Sequence, residues 1–544
     1  MIHDYSRHKT GKSLSNTGSK LIDEPDQTMR APGETELMSN TFPLAGVIGV
    51  VASNCGEIDQ ATKAGLSCVE VRADLLLSAG MSTAALMDAV AKTRQQELNC
   101  LFTVRHPSHG GTFDGSEQDR VALSQQALAA GAQVVDAELG SEAARDLLAA
   151  GAPMVLSHHD FKAMADAEEL RSLTQAMHCA SPQSPPLAIK VVPSASSITD
   201  SVRMLQWVQD RKTNEPHRIG FAMGVAGACS RVLTIAYGAP ITYAAFGDAV
   251  APGQIALAEL IETYRAASLD ANTRVYGIVG ASCQNSFSAF LHSPAFAARA
   301  INSVYVLLQT DDFDEIVTQM DALRLDGLSV TIPYKEDALR VSDEADERSK
   351  RCGAANTLVI HRDGAQRRIH AFNTDYDGVL GPLQRERSLD GLKVAVLGNG
   401  GAARGAVDAL REAGAVPTLF YRNEARGLPV AKSLGISGAL LSDIDDSFDA
   451  YINSTPLGTY PDDPSPVPAE VFTRASQIAF DMVYQTPQTR FLSDAAARGA
   501  RCIPGREMLV SQGIEQFVHF TGQEPGQSEF QENFERGRIL RGLG

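Results

Sequence analysis

No stretch of these 544 residues approaches the roughly 18 consecutive apolar residues that a membrane-crossing helix needs, so a helical span is not expected. Positive charge is also in short supply. Lys and Arg number 48 against 65 Asp and Glu, a formal net charge of −17 spread along the chain rather than gathered in tails. That balance disfavours nucleic acid or an anionic membrane as partner. A small anionic substrate is still allowed, given local Arg or Lys clusters to oppose the overall field. The eight cysteines, at 55, 68, 100, 179, 229, 283, 352 and 502, include no C-x-x-C pair. They read as isolated thiols in a reducing cytoplasm, with neither a disulfide framework nor a metal site expected. Residues 1–43 are rich in Ser, Thr, Gly and Asp, carry mixed charge and have no hydrophobic segment. They resemble neither a secretory signal nor an acid-poor transit peptide, and the expectation is a disordered extension within which Met38 is a candidate start. Oligomeric state does not follow from any of this.

What is present begins with residues 393–404, KVAVLGNGGAAR, a buried-strand run that breaks into small residues and then opens a helical pattern. Gly398 suits the tight turn, Gly400 lets backbone approach a pyrophosphate, and Ala403 lets the helix pack on the strand. Gly401 and Ala402 complete the loop, and the phosphates are expected on the helix N-terminus. The next strand ends TLFYRNE. An NAD enzyme wants a carboxylate there for the ribose hydroxyl, whereas Arg422 suits a 2′-phosphate. Glu424 is nearby, but NADP is the expected coenzyme. The fingerprint lies more than two-thirds of the way along a chain long enough for three or four domains, so the protein before it has another task.

From Leu44 to about Ala267, eight short apolar runs alternate with amphipathic stretches: LAGVIGVVA, CVEVRAD, CLFTVR, QVVDAEL, PMVLSHH, LAIKVV, HRIGFAM and PITYAAF. Eight strand–helix units in series predict a (β/α)8 TIM barrel. A doubly wound sheet is the alternative, but no Gly-rich phosphate loop follows the first strand. Polar residues gather where the strands end: Glu70, Arg72, Asp74, Arg105, Glu138, His158, His159 and Lys190. In a barrel that end carries the chemistry. Lys190 sits alone in an apolar strand, where desolvation favours the neutral amine that a Schiff base requires, unless its ammonium snorkels to the rim. His159 ends the preceding strand as a candidate general base or a structural histidine. His158 should point the opposite way by strand alternation. Arg72, Arg105 and Arg231 offer cationic forks for a carboxylate and hydroxyls, or each makes an ordinary surface ion pair.

After a polar break at 268–274 a second α/β unit is expected, with strands at VYGIVG, SVYVLL and GLSVTI. A third follows GLKVAVLG, with strands near TLFY, DAYINS and IAFDMV. The helices from Gly505 onward are expected to fold back across the second unit. Lys335 in SVTIPYKE and Asp375 in FNTDYDG follow strand-like runs among Thr331, Asn356 and Asn373. Such a pair can pass a proton to a developing alkoxide, or can be a structural ion pair. Ser286 and Ser288 in QNSFSAF offer two hydroxyls that could grip a carboxylate, or make an ordinary turn.

VEVRAD, FTVR…GG, SHHDF, AIKVV…ITD, MGVAGACSR and APGQ, in that order over residues 44–267, resemble the type I 3-dehydroquinate dehydratases. The resemblance implies Lys190 as Schiff-base lysine and His159 as general acid and base. It implies Glu70, Arg72, Arg105, Arg231 and Gln254 as substrate ligands. The chain departs from that pattern at His109, where the family has Glu, and at Val250, where it has Ser. GASCQNSFSAFLHS, GLSVTIPYK, GAANTL, FNTDYDG, GNGGAAR, INSTPLG, DMVY and GREML…QG resemble shikimate dehydrogenase in family order across residues 275–544. There Lys335 and Asp375 match the catalytic pair, and Ser286, Ser288, Thr331, Asn356, Tyr484 and Gln512 match the substrate ligands. Ser329 replaces a usual Asn and Ala289 a usual Pro. The two families are known fused, and the whole chain beyond residue 43 resembles that bifunctional enzyme. The resemblance implies a barrel over 44–270, a substrate-binding domain over 275–385 completed by 505–544, and a Rossmann domain over 386–504. The implied function is dehydration of 3-dehydroquinate followed by NADPH-dependent reduction to shikimate. The alternative is a shikimate or quinate dehydrogenase whose barrel is weakly active or only a binding module. Small anionic substrates are the implied partners.

Overall fold

The computed structural model describes residues 42–543, leaving aside Asp248, Val250 and Ala365. The N-terminal stretch expected to be disordered therefore lies outside the described residues as far as residue 41. Eight buried strands come first: β1 (Gly46–Val51), β2 (Cys68–Arg72), β3 (Asn99–Thr103), β4 (Val134–Glu138), β5 (Met154–Asp160), β6 (Ala188–Pro193), β7 (His217–Gly220) and β8 (Ile241–Ala245). Helices separate them, and every ladder is parallel in the order β7-β6-β5-β4-β3-β2-β1-β8, with the two-residue β9 (Ile255–Ala256) beside β8. Pairing of β1 with β8 brings the last strand round to the first, as the barrel expectation requires. Among the described ladders the seam lies between β7 and β8, flanked by the rings of Phe221 and Tyr243 at 5.7 Å.

Side chains of a strand alternate between two faces, so every second residue points into the barrel. Ile48, Leu101, Val134, Val155, Ala188, Ile219 and Ile241 form an apolar interior cluster. Two residues further along β2, β3, β4, β5 and β6 come Glu70, Thr103, Asp136, Ser157 and Lys190, all buried. The interior thus changes from apolar to polar toward the C-terminal ends of the strands. Buried polar groups are tolerated only when paired, and these pair with one another, as described below.

The second sheet holds β10 (Arg274–Gly280), β11 (Ser303–Gln309), β12 (Leu325–Val330), β13 (Glu344–Ala345), β14 (Thr357–Asp363) and β15 (Gln366–Phe372) in the order β11-β10-β12-β14-β15-β13. The strands β14 and β15 form an antiparallel hairpin. The helices Gly505–Thr521 and Gln527–Leu540 lie against this sheet and its helix. Tyr276 donates to the Phe520 carbonyl at 3.2 Å, and Asn533 to that of Leu291 at 3.3 Å.

The third sheet is wholly parallel: β16 (Lys393–Leu397), β17 (Val416–Tyr421), β18 (Ser437–Leu440), β19 (Ala450–Asn453), β20 (Ile478–Asp481) and β21 (Arg501–Ile503), in the order β18-β17-β16-β19-β20-β21. Separate apolar clusters cover its two faces, as a parallel sheet demands. Strand order reverses between β16 and β19, which opens a crevice at the strands' C-terminal ends. Barrel and second sheet are joined directly. Glu315 accepts the backbone N–H of Thr199 at 2.7 Å, and the guanidinium of Arg324 lies 4.1 Å from the Tyr237 ring centroid. No described helix is long and apolar enough to cross a membrane.

Candidate active sites

At the C-terminal end of the barrel one cavity is lined by Glu70, Arg72, Arg105, His159, Lys190, Arg231 and Gln254, all seven residues expected there. Lys190, the lone charge of its own strand, has a charged partner on another. Its ammonium pairs with Asp136 on β4, and Tyr243 presents its ring 5.2 Å away. Asp136 also accepts from Ser157 at 2.7 Å. Burial works to raise the Asp136 carboxyl, but Lys190 and Arg105 outweigh it and hold it below the usual carboxylate range. Arg72 lines the cavity with its guanidinium already in an ion pair. Both its Nε and Nη2 are held by Asp74, at 2.8 and 2.7 Å. Glu70 accepts from Thr103 at 2.8 Å and lies 3.7 Å from Arg105.

Four buried polar atoms have no hydrogen-bond partner here: Arg105 Nε, Arg231 Nε, His159 Nδ1 and Tyr243 Oη. Each costs free energy unless a ligand satisfies it, so their convergence marks a binding site for a polar molecule. Burial lowers the Arg231 guanidinium to about 10, and its Nη2 donates to the Pro252 carbonyl at 2.9 Å. Burial, then the positive charges of Arg105 and Lys190, hold the His159 imidazole well below its ordinary value, so it is neutral near pH 7.

His109 is half-buried rather than turned to solvent. Its ring centroid lies 6.0 Å from that of His159 and 6.0 Å from that of His158. The paired glycines beside it serve close approach, because a Cβ on Gly111 would fall 2.0 Å from the Arg105 carbonyl oxygen. His158 does not line the cavity, as strand alternation predicted. Val250, the other departure from the family pattern, lies outside the described residues.

A second cavity gathers Ser286, Ser288, Thr331, Lys335, Asn356, Asp375, Tyr484 and Gln512 with Gly400, Gly401 and Ala402 of the fingerprint. Lys335 opens the helix Lys335–Arg340, and Asp375 the helix Asp375–Glu386. Their side chains meet at 2.5 Å. Asn356 Nδ2 donates to Asp375 Oδ1 at 2.9 Å and to Gln512 Oε1 at 3.3 Å, fixing the carboxylate from behind. Ser286 donates to Ser288 at 3.0 Å, so the two hydroxyls lie side by side. Burial pushes the Tyr484 phenol up, keeping it neutral. Asn373 does not line the cavity. It accepts the Asp375 N–H at 3.1 Å and so sets the start of that helix.

The fingerprint has the shape the sequence assigns to it. Gly398 has φ +113°, and a Cβ there would meet Ser454 Oγ at 2.8 Å. A Cβ on Gly400 would meet nothing within 4 Å, which leaves the turn open to a ligand. The helix Gly401–Glu412 has no side-chain cap, so its first N–H groups are available. Arg422 is exposed just beyond β17, away from the second cavity's lining.

Sequence reasoning missed Asp136, Tyr243, Gln516 and Arg404 as cavity neighbours. Asp136 carried the same signal as Lys190, a charge inside a buried apolar strand. Among the described residues no cluster of His, Cys, Asp and Glu could hold a metal ion.

Fold and cavities together define an enzyme with two separate active centres, one built on a buried amine in a barrel and one on a dinucleotide crevice. Residues 48–271 match the family of type I 3-dehydroquinases, and residues 278–358 the shikimate dehydrogenase substrate binding domain. The chain is 29% identical over 497 residues to the chloroplastic bifunctional 3-dehydroquinate dehydratase/shikimate dehydrogenase of Arabidopsis thaliana, covering 86% of this chain and 79% of that one. It is 37% identical over 256 residues to the shikimate dehydrogenase (NADP(+)) of Ignicoccus hospitalis, covering 46% of this chain and 94% of that one. Shikimate 5-dehydrogenase from Thermus thermophilus, solved with NADP(H) and shikimate, is 31% identical with a TM-score of 0.45, covering 49% of this chain and all of that one. The chain belongs to the family of bifunctional type I 3-dehydroquinate dehydratase/shikimate dehydrogenases.

Proposed function

We propose that the chain dehydrates 3-dehydroquinate in the barrel and reduces the resulting 3-dehydroshikimate to shikimate in the second cavity with NADPH. The observation that carries the first reaction is Lys190, buried beside Asp136, in a cavity with four unpartnered polar atoms. Its amine condenses with the substrate ketone, releasing water and forming an iminium. The nitrogen is neutral as the attacking amine, positive as the iminium, neutral again in the enamine formed when the neighbouring proton is removed, and positive once more after the hydroxyl has left. Asp136 opposes the charge in each iminium state. The iminium acidifies the neighbouring C–H, the neutral His159 takes that proton, and the protonated imidazole assists the hydroxyl to leave as water. Hydrolysis of the iminium frees the product and Lys190. Arg105 and Arg231 are assigned to the substrate carboxylate and hydroxyls, with Glu70 and Gln254 beside them, while Arg72 acts while held by Asp74.

For the second reaction, Ser286 and Ser288 take the substrate carboxylate. Thr331, Asn356, Tyr484 and Gln512 place the ring. The open turn at Gly398–Ala403 fits a pyrophosphate, and Arg422 fits a 2′-phosphate. Bound there, NADPH supplies the hydride for the ketone. Lys335 gives a proton to the developing alkoxide oxygen, and Asp375 holds its amine group aimed there. We assign residues 44–270 to the dehydratase, 275–385 with 505–544 to substrate binding, and 386–504 to the coenzyme, with a cytoplasmic setting. The test is to assay each reaction separately on the purified chain, with NADP and with NAD. Failure of either reaction removes that half of the reading.

Arg422→Ala is expected to raise the KM for NADPH about tenfold, the scale of one charge-assisted hydrogen bond at an exposed position, and to change that for NADH little. An unchanged ratio would place the 2′-phosphate elsewhere.

His109→Glu should act on the first reaction alone. The present imidazole adds to the repulsion that holds His159 low, whereas a carboxylate would favour its charged form. His159 then titrates higher, and the acid limb of dehydration, where the base is lost to protonation, moves to higher pH. Dehydration should also run faster near neutral pH. Superimposable pH–kcat curves for wild type and variant would sink the claim that this position tunes the base.

A further inference from the structure

Among the described residues, Asp481 is a fully buried carboxylate that the mechanism leaves unused. Asp481 ends β20, and its ladder neighbour Asn453 ends β19. Asp481 Oδ1 accepts from Asn453 Nδ2 at 3.0 Å and from the Val483 N–H at 3.0 Å, while Oδ2 accepts from Thr489 Oγ1 at 2.6 Å. Asn453 also donates to the Leu457 carbonyl at 2.9 Å and accepts from the N–H and hydroxyl of Thr455, at 3.0 and 2.7 Å. Between them Ser454 donates to the Leu397 carbonyl at 2.5 Å, one residue before the fingerprint glycine. Two loops therefore leave one knot of hydrogen bonds. Residues 454–458 pass against the glycine turn. Residues 482–489 carry Met482 and Tyr484 into the reduction cavity.

We propose that Asp481, acting through Asn453, is a positioning residue for the reduction: it clasps the loop against the dinucleotide turn to the loop that bears Tyr484, and so holds coenzyme and substrate in register. The inference rests on the reduction assigned above. A carboxylate is the group this position needs, because three donors converge on two oxygens. An amide keeps one acceptor oxygen and turns its NH2 either toward Asn453, donor against donor, or toward Thr489, whose hydroxyl must then swing from donating to accepting. A protonated carboxyl likewise exchanges one charged acceptor for a donor, and the bond to Thr489 must reverse.

Burial raises Asp481 to about 6 against the pull of its three hydrogen bonds. The groups packed on it are Asn453 from β19, the Val483 N–H, and Thr489 from the loop before helix Arg490–Ala497. None of these is ionisable, and no charged side chain contributes to its shift. As pH falls through about 6 the carboxyl gains a proton and the clasp loosens.

The experiment measures KM and kcat for 3-dehydroshikimate reduction from pH 5 to 9 in wild type, Asp481→Asn and Thr489→Val. Dehydration of 3-dehydroquinate by the same preparations is the folding control. Asp481→Asn is expected to raise KM roughly tenfold at pH 8, with a smaller fall in kcat, and to flatten the acid limb, because the amide does not titrate. Thr489→Val keeps the carboxylate but removes one donor, and should move the limb to higher pH. Dehydration should be unchanged in both. An unmoved acid limb in both variants, or an unchanged KM in Asp481→Asn, overturns the proposal. If Asp481→Asn loses both activities through misfolding, the limb of Thr489→Val decides. Absence of reduction in the wild type would instead refute the reduction reading itself.

Discussion

Lys190→Ala is expected to lower dehydration by on the order of 10⁴-fold or more, the scale seen when a covalent nucleophile is removed, while reduction of added 3-dehydroshikimate proceeds at the wild-type rate. Without the amine no iminium forms, and the neighbouring C–H keeps the low acidity it has beside a plain ketone. Selectivity between the two activities follows from the structure, since Lys190 lines only the barrel cavity and none of its contacts reaches the second. The variant also leaves Asp136 buried without its cation, which should cost stability, so a lower Tm is expected alongside intact reduction. Borohydride added with 3-dehydroquinate should label Lys190 and no other lysine. Full dehydratase activity in the variant would remove the Schiff-base assignment.

Lys335→Ala and Asp375→Asn should each slow reduction by about 10²- to 10⁴-fold while dehydration continues. The two variants are expected to fail in different ways. Lys335→Ala removes the proton donor, so the loss should fall on kcat. Asp375→Asn leaves the ammonium in place without the carboxylate that holds it at 2.5 Å, and Asn356 then faces an amide it can pair with only after reorientation. Its loss should be shared between kcat and KM. Equal losses in both activities of either variant would indicate misfolding, which circular dichroism checks.

Much of this was legible in the sequence because its signals are local. The period-two strands of the barrel, the switch to helical patterning after each, and Gly398 followed by small residues are all decided within a few residues of chain. Most site residues were reached through motifs, and the structure gathers them into two cavities. What went unread lies where geometry is not local. The partner of Lys190 could not be named because Asp136 is 54 positions away and meets it only across the curled sheet. The partner of Arg72 could not be named because pairing with Asp74 depends on the chain turning into a helix directly after β2. The β14–β15 hairpin went unread although Asp363-Gly364 separates two alternating runs, a turn signal available in the sequence. Tyr243 sat in a strand already assigned, but which of its faces looked inward depended on how the barrel closes.

The most direct test of the account is to give the purified chain 3-dehydroquinate and NADPH with no other enzyme present, and to follow NADPH absorbance together with that of the conjugated enone. The account predicts that NADPH is consumed in equal amount to the 3-dehydroquinate dehydrated, that Lys190→Ala consumes none from this substrate, and that Lys335→Ala accumulates the enone while NADPH stays constant. Oxidation of NADPH with 3-dehydroshikimate but not with 3-dehydroquinate would contradict the claim that one chain performs both steps.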